Sequence, residues 1–108
     1  MALPADVERV LRSLLPGSRP WHGELLAQLP FTTAEAGCAC GCPTVDLTVD
    51  GDAVAPATSA PDGMIASASG ASGGVLLFVG NGYLSLLEAY FYEDPVPEWP
   101  EPGTLTLD

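Results

Sequence analysis

Val7, Val10, Leu11, Leu14 and Leu15 recur at the three-and-four spacing of a single helical face. Asp6 and Glu8 near the start and Arg12 near the end suit the helix dipole, and Pro16-Gly17 stops the element. A second short helix is predicted from Pro20, with Ser18 or Arg19 beside its cap. Trp21, Leu25, Leu26 and Leu29 form its apolar stripe, and Pro30 closes it. From Phe31 the period falls towards two. Residues 31–35 read as a first strand, and residues 44–50 read as a half-buried one, with Val45, Leu47 and Val49 alternating against Thr44, Asp46, Thr48 and Asp50.

Gly37, Gly41 and Pro43 mark a loop between those strands, and the Asp-, Ala- and Pro-rich residues 50–63 mark another. Residues 64–69 read as a strand of small side chains, followed by a glycine-rich turn at 70–74. The strongest strands are 75–79 and 83–92. They are joined by Gly80-Asn81-Gly82, where Asn-Gly supplies the positive backbone angles of a type I′ hairpin. Residues 75–79 are apolar on both faces, which predicts a central strand covered by helices on at least one side. In the strand that follows, Leu84 and Leu87 break strict alternation, so a bulge is expected near Ser85-Leu86. Pro95, Pro97, Pro100 and Pro102 bar the end of the chain from a sheet interior and make it an extended strap.

These elements predict an α+β fold: two short N-terminal helices packed on a mostly antiparallel sheet of about four to five strands. A length of 108 residues fits a single domain, 1–108, able to bury a modest core without obligatory staples.

Composition changes the functional picture more than the fold. Fourteen carboxylates face three arginines, Arg9, Arg12 and Arg19, with no lysine, for a formal net charge of −11. No fixed cation follows Arg19. Such a field repels phosphate backbones and anionic lipid heads, which excludes nucleic acid and membrane surfaces as expected partners and favours a basic protein. No run reaches the ~18 apolar residues of a membrane span, and the N-terminus lacks the basic and long apolar stretches of a signal peptide. Three cysteines are an odd number for a secreted disulfide framework, so a cytoplasmic protein is expected.

Cys38, Cys40 and Cys42 are the one unusual cluster. In an extended segment their alternation points three sulfurs to one side. Thiolates so placed hold zinc or another thiophilic metal, with a fourth ligand from His22, a carboxylate or a second molecule. Structural zinc sites space their cysteines more widely and add a second pair downstream, and this chain does neither. A disulfide between alternate residues needs a tightly folded loop. The preferred reading is three small reduced thiols in a turn, with Cys38, Cys40, Cys42 and His22 kept as candidate metal ligands.

His22 is the only histidine, so an acid–base catalyst built on histidine must use it. Cys40 or Cys42 as nucleophile with His22 as base would require the two within hydrogen-bond reach. No motif surrounds them, and the chain is not read as an enzyme. Asp46, Asp50, Asp52 and Asp62 match no calcium-loop spacing and are expected on a solvated face. Glu88, inside an apolar strand, is either a buried acid or one that the bulge turns outward. The glycine runs open no helix and have no lysine beside them, so they are not phosphate cradles.

Two stretches carry a resemblance: Cys40-Gly-Cys-Pro-Thr-Val-Asp-Leu47, and residues 75–90 with Gly82-Tyr-Leu-Ser-Leu-Leu-Glu88, ahead of the Pro/Glu-rich end. They resemble a family of small uncharacterised proteins from high-GC bacteria, over about two thirds of the chain. The hairpin is also similar to those of small immunity-type proteins. The first family brings no activity, so no site residue is carried over from it. The expectation is a non-enzymatic, immunity- or inhibitor-like module that binds a basic protein. The alternative is a small metal-binding protein that holds zinc or another thiophilic metal on Cys38, Cys40 and Cys42.

Overall fold

The computed structural model describes residues 3–37 and 41–108. Helix α1 spans Ala5–Leu14 and buries Val7, Val10, Leu11 and Leu14, the face that the spacing predicts. Each such side chain removed from water contributes about 1.5–3 kcal/mol. Arg12 reaches back one turn to Glu8 at 2.8 Å. Gly17, with φ of 101°, turns the chain where a Cβ would be strained.

Helix α2, Pro20–Leu26, begins on its proline as predicted. Pro30 does not simply end it. It sits inside a 3₁₀ turn, Leu29–Phe31, which leads directly into the sheet. His22 and Leu25 are the buried positions of α2, whereas Trp21 and Leu26 are half-buried.

Six strands follow: β1 Thr32–Ala36, β2 Val45–Val49, β3 Gly63–Ser69, β4 Gly73–Gly80, β5 Tyr83–Phe91 and β6 Thr106–Leu107. Their order is β1-β2-β5-β4-β3-β6, and every neighbouring pair is antiparallel. The fold is therefore the predicted α+β class with one strand more than expected. That strand, β6, is too short to carry a period. Tertiary pairing makes it: Asp108 N–H donates to the Ser67 carbonyl at 3.0 Å, and Ser67 and Ser69 hydroxyls donate to the Asp108 carboxylate at 2.9 and 3.2 Å.

β4 and β5 occupy the centre of the sheet, as the apolar run of β4 predicts for that strand. Their turn has Asn81 at φ 53° and Gly82 at φ 82°, the two positive angles a type I′ hairpin needs. The bulge falls at Ser85, because Val79 pairs with Leu84 while Phe78 pairs with Leu86. The extra residue reverses the parity of β5. Leu84, Leu87 and Ala89 all point to the core, and Glu88 is turned to the other face. A second bulge, at Ile65 in β3, has no signature in the sequence.

β2 and β5 pair through only Val45–Leu87 and Asp46–Leu86. Thr44 extends the ladder with its side chain, its hydroxyl accepting from Ala89 N–H at 3.0 Å and donating to the Ala89 carbonyl at 3.4 Å. Both helices, Trp99 and Leu105 pack on the side of the sheet that carries Val75, Leu77, Val79, Leu84 and Leu87, and together they form one core. No helix among the described residues packs on the opposite face. Among the described residues no helix is long and apolar enough to cross a membrane.

Candidate functional site

The three cysteines fall within the connection from β1 to β2, which Gly37 N–H closes by donating to the Thr44 carbonyl at 2.9 Å. Cys38 and Cys40 lie outside the described residues. Cys42 is half-buried, with its Sγ 3.4 Å from Thr44 Oγ1. It lines a shallow hollow of about 400 Å³ with Gly37, Thr44, Asp46, Leu86 and Glu88. No group of three metal-ligating side chains gathers among the described residues.

His22 is elsewhere. It is 4% exposed and sits between the end of α1 and the β3–β6 edge, bordered by Leu14, Arg19, Ile65, Leu107 and Asp108. Its Nδ1 accepts the Gly17 N–H at 3.0 Å, which fixes the neutral ring with its proton on Nε2. Burial, reinforced by Arg19, pushes its pKa below the usual value. Cys42 precedes β2 whereas His22 packs at the β3–β6 edge, and β5 and β4 separate β2 from β3 by on the order of 14 Å at about 4.8 Å per strand. The structure does not bring these two candidates together, either as nucleophile and base or as co-ligands.

The acids are distributed as a solvated surface. Asp46 is exposed on β2 and Glu35 is exposed opposite it on β1. Asp50 accepts from Asp52 N–H at 3.0 Å, and Asp62 accepts from the Asn81 N–H of the hairpin turn at 2.9 Å. Glu88 is half-buried on the helix-free face, where the bulge directs it. The arginines belong to the helical layer. Arg9 is held in a two-pronged contact by Glu101, at 2.6 and 3.2 Å, which ties α1 to the C-terminal strap. Arg12 is paired with Glu8, and Arg19 lies over the Trp21 ring at 5.9 Å. The strap itself bounds a hollow of about 450 Å³ against Phe91, Tyr92, Val96 and Trp99.

Sequence reasoning missed Gln28. It is completely buried, and its amide clamps the β4–β5 turn to the end of α2. A glutamine just past a helix reads as surface, and its hairpin partners Gly82 and Leu84 lie more than fifty residues away, so no local signal marks it.

No family model matches the chain, and no curated protein or solved structure matches it either.

Proposed function

We propose that this protein is a non-enzymatic binding module that engages a basic protein in the cytoplasm, in the manner of immunity and inhibitor proteins. The observation that carries the reading is the separation of charge. All three arginines lie in the helical layer, and two of them are already paired with glutamates, so the remaining carboxylates present one sign to an approaching molecule. Such a field accelerates encounter with a cationic partner and penalises acidic ones. The only imidazole is buried with one nitrogen already bonded, which supports a role other than proton transfer.

The test is a salt titration. A basic protein that co-purifies from the native host is titrated calorimetrically at low and high ionic strength. Affinity that falls steeply with added salt is expected, and an affinity indifferent to salt overturns the reading.

A further inference from the structure

An open face on an antiparallel sheet is ordinarily polar, because alternation sends apolar side chains to the core and polar ones to water. Apart from Met64 on β3, the outer strands follow that rule: Thr33 and Glu35 on β1, Asp46 and Thr48 on β2, and Ser67 and Ser69 on β3 all face away from the helices. The two central strands do not. Leu76 and Phe78 on β4 and Leu86 on β5 point to the helix-free side, half-buried by their neighbours on the sheet, and take no part in the core. Register joins them into a continuous patch. Asp46 neighbours Leu86, Leu86 neighbours Phe78, and Phe78 neighbours Met64, which is 53% exposed. In the adjacent row Glu88, Leu76 and Ser67 lie side by side. One row further, Gly74 leaves room for the Tyr90 ring, which stacks edge-on with Tyr92 at 5.9 Å. The row from Asp46 to Met64 crosses four strands, roughly 14 Å at the usual strand spacing.

We propose that this face is the docking surface, with Phe78 and Leu86 at its centre, and that its occupant is a protein surface with an apolar centre ringed by lysine or arginine. The proposal rests on the binding reading above and adds where the partner sits. Charge complementarity selects the occupant. Glu35, Asp46, Glu88 and Asp108 border the patch, and every arginine lies in the layer on the other side of the sheet. A second copy would bring carboxylates against carboxylates, so self-association through this face is disfavoured. An apolar centre desolvated within a charged rim is the arrangement that concentrates binding energy in protein interfaces. The hollow at Cys42, walled by Asp46, Leu86 and Glu88, gives the patch relief at one end.

The test uses the whole protein and a synthetic helical peptide of leucine and lysine, with the leucines along one side. Two controls replace its leucines by serine or its lysines by glutamate. Amide NMR shifts report where it binds. The expected result is salt-sensitive binding that perturbs residues 76–78 and 86–88 and weakens at least tenfold with the serine control. Phe78→Ser and Glu88→Lys, checked for folding by circular dichroism, are each expected to weaken binding by a similar factor. Salt-sensitive binding that maps to α1, α2 or the strap overturns the docking face and leaves the basic-partner reading standing. A lysine peptide that binds no better than the glutamate control overturns that reading, and the docking face with it. A dimer seen by sedimentation at micromolar concentration, and dispersed by Leu86→Arg, would assign the face to a second copy and overturn the proposed occupant.

Discussion

Replacing Gln28 by methionine tests whether one buried amide holds the hairpin to the helices. The Gln28 Nε2 donates to the Gly82 carbonyl at 2.8 Å and to the Ala55 carbonyl at 3.4 Å, while Oε1 accepts from Leu84 N–H at 3.1 Å. Methionine keeps the length of the side chain and its burial but makes none of these bonds. Gly82 O retains the Ala57 N–H at 2.7 Å, so the group left stranded is the Leu84 N–H at the start of β5. An unsatisfied buried donor costs about 1–3 kcal/mol, and the lost bonds add about 1 kcal/mol. The expected loss is about 2–4 kcal/mol, a large part of the ~5–15 kcal/mol that holds a domain of this size together. Urea unfolding followed by circular dichroism should show the midpoint falling by on the order of 1–2 M at an ordinary m-value. Gln28→Glu should be worse at neutral pH, because a buried carboxylate would face two carbonyl oxygens. Burial raises the pKa of the introduced carboxyl, so its penalty should shrink as the pH falls towards about 4, when the protonated group can donate again. A Gln28→Met variant within about 0.5 kcal/mol of the parent would refute the assignment of these bonds as structural.

Gly82→Ala should be strongly destabilising, since φ is 82° and a Cβ would lie 2.7 Å from that of Pro56. A loss of about 2–4 kcal/mol is expected from a left-handed alanine together with overpacking, and an unchanged urea midpoint would contradict it. His22, with its pKa lowered in the folded state, takes up its proton more readily when unfolded. Stability should therefore be full above about pH 6.5 and decline below it. His22→Asn, which keeps an acceptor for Gly17, should flatten that slope between pH 7 and 5, and an identical slope in both proteins would show that another group is responsible. Protein purified without chelator should contain far less than one equivalent of zinc by elemental analysis. Stoichiometric zinc lost on replacing Cys42 by serine would instead favour the metal-binding alternative.

What the sequence determined by itself is local. The spacing of Val7, Val10, Leu11 and Leu14 makes a helix because neighbours three and four apart share a face. Asn81-Gly82 makes a type I′ turn because those residues tolerate positive φ, and the broken alternation at Leu84 and Leu87 marks the Ser85 bulge because parity along a strand is strict. The position of Glu88 follows from that bulge. The candidate site was legible only in part: the acids of β2 stood out as a polar face, but an all-apolar run such as 75–79 does not say which of its sides will be covered. The fold decided that by placing both helices on one side, leaving Leu76, Phe78 and Leu86 half-buried on the other. Long-range pairing also made β6, buried His22 against β3 and set Gln28 on a turn fifty-four residues further along the chain. Each of these depends on groups far apart in sequence, and neither propensity nor period encodes which distant backbone a polar side chain will meet.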